Sequence, residues 1–480
     1  MNQEKQTAVN AVEEKKEVIC RAADQIWEYA ELSLQEEKSA AYYCRVLREE
    51  GFLVEEGICN IPTAFAASFG TGSPRIGILA EYDALSGLSQ EAGCTEPREH
   101  IPGGCGHGCG HNLLGAGAMA AAIGIKAYLE KSKKPGTVIL YGCPGEEGGA
   151  AKAFMARDGL WKSLDVALTW HPEDVNEVNT GSSNSCIQTQ YKFSGVASHA
   201  AGAPEKGRSA LDAVELMNIG VQFLREHTSD KARIHYAITD TGGVSPNVVQ
   251  PKASVLYMVR SNHVAEAVEL QERVDRIAQG AALMTDTKVE KKFIDGLADT
   301  VPNSVLEQVL YDNFKELGVP SYTQEELEFA DALAGTYAGS DGVPGVAAEY
   351  DAAAKEEVQA MQKKAGHAMN AFLAPLYKGE AFTPGSTDVG DVSWLTPTAQ
   401  IHVAAWPNGC PGHSWQNVSS GGTSIGHKAA VQAGKVLAAA AVELFEKPEL
   451  LDAAREEFEK RTAEGYVCPI PADAVPVVPD

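Results

Sequence analysis

Cys109-Gly110-His111 sets a thiol and an imidazole two residues apart at the end of a glycine-rich loop, GGCGHGCGHN. In an extended segment that spacing lets both side chains reach one small volume. Glu146 and Glu147 are adjacent, flanked by Gly and Pro at the end of an apolar run. Neighbouring side chains point in different directions, so one carboxylate can hold a metal while the other faces a bound water. His171 and His413 follow two further apolar runs, and Glu81 and Asp83 follow a third. Thiolate, imidazole and carboxylate together are what a divalent ion needs. The set predicts a second metal held by His171 and His413, with the Cys109 thiolate as the bridge. Two such ions polarise a carbonyl and bring the pKa of a shared water towards neutrality. The free carboxylate then carries the proton to the leaving nitrogen. The chemistry is amide hydrolysis.

Taken singly, each residue has a plainer reading. Glu-Glu pairs usually sit on solvated surfaces, and a histidine after a strand is often structural. Asp83 is either an ordinary turn aspartate or a buried acid that fixes the tautomer of a metal-bound histidine. His107 lies in the same loop as Cys109 and reads as a further ligand or an orienting group. His402, in mid-strand, and His427, at a helix start, read as structural. Cys105 and Cys109 form a CxxxC, but no second cysteine pair completes a four-ligand structural zinc site.

Strands are predicted at 75–80, 137–142, 165–170 and 400–405, the third stopping directly at His171. They alternate with helices, among them 113–129, which is dense in Ala and Gly and starts just after His111. Such alternation predicts an α/β fold with a mostly parallel sheet and helices on both faces. Ligands of open α/β sheets bind outside the carboxyl ends of the strands. Between His171 and His413 a β-α-β-β-α-β run occupies 187–194, 208–226, 232–239, 252–260, 264–284 and 288–294, the ferredoxin-like pattern. This divides the chain into a metal-binding domain in two parts, 1–186 and 297–480, around an insert at 187–296. In the insert, Arg260 ends the apolar strand VLYMVR. It suits a bidentate carboxylate clamp as well as a strand-end side chain reaching solvent. His199 and Asn247 lie in its loops SHA and GGVSPN. Helices are also expected within 7–50, at 304–317 and at 423–445, a solvated helical hairpin within 325–384, and an irregular tail, CPIPADAVPVVPD.

At 480 residues the chain exceeds one hydrophobic core. Its 65 acidic against 40 basic side chains give a net charge of −25, which repels phosphate backbones and anionic lipid. Neither nucleic acid nor membrane is therefore expected as a partner. No apolar run approaches the length of a bilayer span, and the charged start lacks a signal-peptide core. Ten cysteines, mostly scattered singly, fit a reducing cytoplasm.

The segments EYDALSGLSQEAGC, GHGCGHNLLG, YGCPGEEGG, LTWHPE, GRSALDAV, SPNVVQ, GSTDVGDVSW and the CPIP tail together resemble the aminoacylase and carboxypeptidase G type of di-metal peptidases. They look most like the branch that contains the plant auxin-conjugate amidohydrolases. The resemblance implies a catalytic domain with an inserted lid and dimerisation domain. It implies two divalent ions per subunit, zinc or manganese, on Cys109, His111, Glu147, His171 and His413. Glu146 is then the general base and Asp83 the acid beside the metals. Arg260 would hold the substrate carboxylate, and His199 and Asn247 would reach a neighbouring subunit's site. The implied substrate is a small N-acyl or N-aroyl amino acid, p-aminobenzoyl-glutamate foremost. The implied assembly is a homodimer, or a heterodimer with a paralogous subunit. Another N-acyl amino acid as substrate, or a partner-dependent non-catalytic subunit, are the alternatives. Two positions depart from the family's pattern: Glu81, where many relatives have His or Asp, and Asn112, where they have Asp.

Overall fold

The computed structural model describes residues 1–478. Its central sheet has seven strands. In spatial order they are Leu53–Glu56, Phe65–Thr71, Gly136–Gly142, Arg75–Ala80, Val166–Glu173, Thr398–Ala404 and Glu177–Asn179. The four from Gly136–Gly142 to Thr398–Ala404 are mutually parallel, as expected, and both edges are antiparallel. The connection between the first two strands is too short for a crossover, so that pair can only be antiparallel. Val166–Glu173 runs past His171, the residue expected to end it. Thr398–Ala404 lies alongside and keeps the ladder paired as far as Glu173.

Side chains alternate across the sheet. Ile76, Ile78, Val138 and Leu140 enter one core, while Leu79, Ile139 and Tyr141 enter a second on the opposite face. Burial on both faces explains why these strands read as continuous apolar runs. Helix His111–Ser132 packs between the sheet and helix Ser424–Glu446. The packing is too close for side chains: a Cβ on Gly434 would lie 2.4 Å from the Ala120 Cβ. Contrary to expectation, His111–Ser132 has the length and apolarity of a bilayer span, but 89% of its most apolar window is buried inside the fold. It is a core helix, and its hydropathy reflects burial on all sides.

The second sheet runs Arg233–Asp240, Lys252–Ser261, Ser185–Ser194, Lys288–Leu297, antiparallel throughout. Helices Ala210–Arg225 and Val264–Thr285 build its core. This is the strand order of the expected split βαβ pattern. The segment 325–384 differs from a solvated hairpin. It forms helices Gln324–Ala334, Val346–Tyr350 and Ala352–Ala365 and is tied to the central sheet's edge. Asn176 Nδ2 donates to the Asn370 carbonyl at 2.6 Å, and Glu177 Oε2 accepts from Val346 N at 2.8 Å. Three helices, Gln3–Glu14, Lys16–Tyr29 and Glu37–Glu49, form the amino-terminal stretch. A further helix, Pro448–Arg461, begins on a proline suited to a first turn. The tail is irregular to residue 478, and its last two residues lie outside the described chain.

Candidate metal centre

The cysteine-histidine motif owes its shape to Gly110. At φ +75° Gly110 is in the left-handed region, and a Cβ there would meet Pro172 at 2.7 Å. The turn delivers Cys109 on one side and starts the helix on His111 itself. His111 is fully buried. Its Nδ1 lies 2.8 Å from Asp83 Oδ1, which puts a proton on Nδ1 and turns Nε2 towards the other donors; against the burial that would lower it, Cys109 and Asp83 push the ring's pKa well above its ordinary value. Asp83 Oδ2 accepts from Ser33 Oγ at 2.8 Å and from Glu147 N at 2.9 Å. Against the burial that would raise it, His111 and these hydrogen bonds hold the Asp83 carboxyl at about 2. Asp83 is thus a buried acid held against His111 and no ordinary turn residue.

His171 is fixed in the same way, its Nδ1 2.8 Å from the Pro172 carbonyl. Burial, with His111 nearby, lowers its pKa to about 3, so the ring is neutral and its Nε2 is free to ligate. That Nε2 is 3.4 Å from Cys109 Sγ. Cys109, His111 and His171 form one cluster with donor atoms within 4.8 Å of one another; Cys109, Glu147 and His413 form another, and Glu81, His111 and Glu146 a third. Cys109 belongs to two of them, as the expected bridge would, and so does His111. The pairing differs from the one expected: His171 joins His111, and His413 joins Glu147. The reason is topological, since His171 sits within a strand facing the start of helix His111–Ser132. His413 instead arrives on a separate loop, where its Nε2 is 3.4 Å from Glu147 Oε1.

His111 Nε2 and Glu147 Oε1 are buried and have no hydrogen-bond partner. Unpaired buried polar atoms are costly, and here both stand among thiol, imidazole and carboxylate donors. The donor set fits divalent metal of zinc or manganese type. Glu146 is outside the two clusters that share Cys109 and belongs to the third, with Glu81 and His111. Burial, then Glu81, Glu147 and Asp388 around it, push its carboxyl well above the usual carboxylate range.

A cavity of about 270 Å³ opens over Cys109, Glu146, Glu147, His171 and His413 and extends to Ser386 and Thr387. Arg260 Nη1 donates to Ser386 Oγ at 2.9 Å, which brings the guanidinium to the cavity's rim. His199 and Asn247 are exposed and do not line the cavity. They adjoin each other, with Ala200 N donating to the Asn247 carbonyl at 3.0 Å. His107 is buried with Nε2 2.9 Å from the Ile26 carbonyl and belongs to none of the donor clusters. His427 pairs with Asp24 and is structural. His402 bonds Glu177 at 3.1 Å, but it also lines the cavity, its ring centre 6.4 Å from that of His171. Asn112 sits behind His111 and donates to the Ala23 and Gly421 carbonyls, so it ties helices together and leaves His111 to Asp83.

Sequence reasoning missed three supporting residues. Glu36 accepts from Gly145 N at 2.8 Å and from Thr63 Oγ1 at 3.0 Å, which fastens the loop that carries Glu146. Burial, then Asp83, raises its carboxyl to about 8. Lys152 and Asp388 pair beneath Glu81. Their only signal was a lysine and an aspartate inside apolar segments, AKAF and DVGDV.

Comparison with known proteins shows the family and the fold. Residues 77–466 match the family model "Peptidase family M20/M25/M40". The chain is 44% identical over 97% of its length, and 97% of the other's, to a p-aminobenzoyl-glutamate hydrolase subunit of Escherichia coli (strain K12). Its fold is similar to a solved aminobenzoyl-glutamate utilization protein from Klebsiella pneumoniae, with a TM-score of 0.58, 15% identity, and coverage of 89% of this chain and 96% of that one. A dinuclear metal-binding M20 peptidase from Bacillus subtilis superposes with a TM-score of 0.55 at 17% identity, covering 90% of this chain and 99% of its own. A match along four-fifths of the sequence, with identity of this order to a full-length relative, places the chain in one group: it belongs to peptidase family M20/M25/M40.

Proposed function

We propose that the chain is a di-metal amidohydrolase that cleaves N-acyl or N-aroyl amino acids, with p-aminobenzoyl-glutamate as substrate and p-aminobenzoate and glutamate as products. The observation that carries the chemistry is the sharing of Cys109 between two three-donor clusters, with Glu146 outside both of them. The substrate rests on the 44% identity to the Escherichia coli hydrolase polypeptide. Cys109, His111, Glu147, His171 and His413 would hold two zinc or manganese ions. When bound, such ions supply Lewis acidity to a carbonyl and acidify a water in their shell. Glu146 takes a proton from the attacking water and returns it to the amide nitrogen as the C–N bond breaks. Its raised affinity for a proton suits a group that must hold one between the two transfers. Asp83 keeps the His111 proton on Nδ1, and the Pro172 carbonyl does the same for His171. Arg260, reaching the rim from the inserted unit, binds the substrate's α-carboxylate and orients the scissile amide.

In the same reading residues 187–296 are a lid and dimerisation unit on a catalytic domain made of 1–186 and 297–480. His199 and Asn247, exposed and away from their own cavity, complete the site of a neighbouring subunit. That neighbour is a second copy or a paralogous polypeptide; the Escherichia coli relative is itself named as one subunit of its hydrolase. The reaction would lie in folate catabolism in the cytoplasm, in keeping with ten free cysteines. The exposure of His199 and Asn247 also favours a second reading, in which this chain turns over only with a paralogous partner.

The test is release of p-aminobenzoate from p-aminobenzoyl-glutamate by the purified chain, alone and with the paralogous polypeptide, with bound metal measured in the same preparation. Hydrolysis by the chain alone supports the first reading, and hydrolysis only in the mixture supports the second. Failure to hydrolyse this or any other N-acyl amino acid in metal-loaded samples of either kind would overturn both.

A further inference from the structure

Lys152 is fully buried, in a short helix whose other side chains are mostly apolar. Its Nζ lies 2.7 Å from Glu81 Oε1 and 2.5 Å from Asp388 Oδ1. Asp388 Oδ2 also accepts from the Lys152 backbone N–H at 3.0 Å, so lysine and aspartate are locked in one orientation. The second Glu81 oxygen, Oε2, is turned the other way and lies 3.3 Å from His111 Nε2, the ring nitrogen that faces the other donors. Glu81, His111 and Glu146 form one of the three donor clusters.

We propose that Lys152 is a positioning residue for the metal centre, acting through Glu81: anchored on Asp388, it grips one Glu81 oxygen and so fixes the other beside His111 Nε2.

Two arguments separate this from a fold-stabilising ion pair. The first is charge. Glu81, Asp83, Glu146, Glu147 and Asp388 crowd one small volume, and among the described residues Lys152 is the lone lysine or arginine ion-paired to any of them. Without it Glu81 and Asp388 would repel each other and the neighbouring glutamates, and Glu81 would have no fixed direction. The second is the cost of burial. A fully desolvated ion pair is commonly no more stable than apolar residues of the same shape, so stability alone gives little reason to bury this one. An ion pair aimed at a ligand atom has a reason that does not depend on stability, because the groups that orient metal ligands set metal affinity. Glu81 can turn only if Lys152 lets go, and Lys152 is held at both its backbone and its head.

The inference rests on the metal reading above, and the experiment separates their failures. Zinc affinity is measured by chelator competition on the full-length protein and on three variants: Glu81→Gln, the charge-neutral pair Lys152→Met with Asp388→Asn, and the combination of all three. Thermal midpoints of the metal-stripped proteins are recorded alongside. Glu81→Gln keeps the Lys152–Asp388 pair and should weaken zinc binding at one site by roughly ten- to a hundredfold. The charge-neutral double variant should show a loss of the same order, and adding Glu81→Gln to it should cost nothing further, since Lys152 acts through Glu81. The double variant removes one positive and one negative charge, so weakening in it is the signature of lost positioning and not of a change in net charge. If the double variant has lowered midpoints and unchanged zinc affinity, Lys152 is structural and the proposal is wrong. If the Lys152 variants do not fold, Glu81→Gln decides alone, and wild-type affinity in it overturns the proposal. If the unmodified protein itself binds no zinc or manganese, the metal reading has failed first.

Discussion

Replacing Asp83 by Asn changes one atom's chemistry at the point where the histidine ligand is aimed. Asp83 and His111 are both wholly buried, and their 2.8 Å contact has no water to substitute for it. The carboxylate accepts three hydrogen bonds, from His111 Nδ1, Ser33 Oγ and Glu147 N. An amide has one oxygen and one NH₂. If its oxygen stays on His111, the NH₂ faces the Glu147 N–H, donor against donor. If it is flipped, the NH₂ faces His111 Nδ1, and the imidazole must move its proton to Nε2, the atom meant for metal. Either way a hydrogen bond to a charged group is lost, worth about 1.5–3 kcal/mol. At about 1.4 kcal/mol per decade this is roughly ten- to a hundredfold in metal affinity. The assay is zinc competition against a chelator at fixed pH, with the fold of the metal-free variant checked by circular dichroism. A folded Asp83→Asn protein with wild-type zinc affinity would refute the argument that Asp83 fixes the His111 tautomer.

Glu146→Gln should lower turnover by on the order of a hundred- to ten-thousandfold with metal content unchanged; loss of metal would make Glu146 a ligand instead. Cys109 should resist alkylation with metal bound and become reactive after chelation, and equal labelling in both states would exclude the thiolate bridge. Arg260→Ala should raise KM for N-acyl amino acids and matter much less for their carboxamides, whose charge is gone. Mixing inactive Glu146→Gln with inactive His199→Ala subunits should restore part of the activity, and no recovery in verified mixed oligomers would remove the shared site. Far from the metals, burial and the nearby Glu457 raise the Glu307 carboxyl from an ordinary 4.5 to about 7. Its neutral form suits the fold, so its stabilising contribution is complete below pH 4.5 and is lost as pH rises through about 7. Glu307→Gln should therefore melt like wild type at about pH 4 and above it at about pH 8, and parallel melting curves at both would contradict this.

The strands were legible because both their faces are buried, which writes them as unbroken apolar runs. Their lengths were less so. The apolar run ends at Trp170, but pairing continues to Glu173 because Ala404 lies opposite, and a partner strand leaves no mark on its neighbour's composition. Donor residues at strand ends and in glycine turns were visible because few structural needs put Cys, His and Glu there. Which donors meet was not visible. That depends on where the 413 loop lands, and the structure sets His413 beside Glu147. Lys152 and Asp388 were hidden for another reason. Each looks like an ordinary charge in a mostly apolar segment, and their 236-residue separation means that only the folded chain shows they neutralise each other. His402 was placed correctly in mid-strand, yet alternation alone does not tell which face of a strand's end looks into a cavity.

The inserted sheet leaves the central domain and returns to it at one place. Cys186 pairs with Leu297, and Ser183 Oγ meets Thr300 Oγ1 at 2.9 Å, so the outgoing and returning chains run side by side as a two-stranded ribbon. Two separate tethers would fix the unit at two points; a single ribbon gives it one hinge. Swinging about that hinge would need changes in a few backbone angles at the element ends and would part Val264 and Val268 from Trp394 and Tyr466. Arg260 lies on the inserted unit and Ser386 on the central domain, so their hydrogen bond would act as a latch across the hinge. A substrate carboxylate that competes for the guanidinium would exchange the latch for itself. Opening and substrate capture would then be governed by the same arginine.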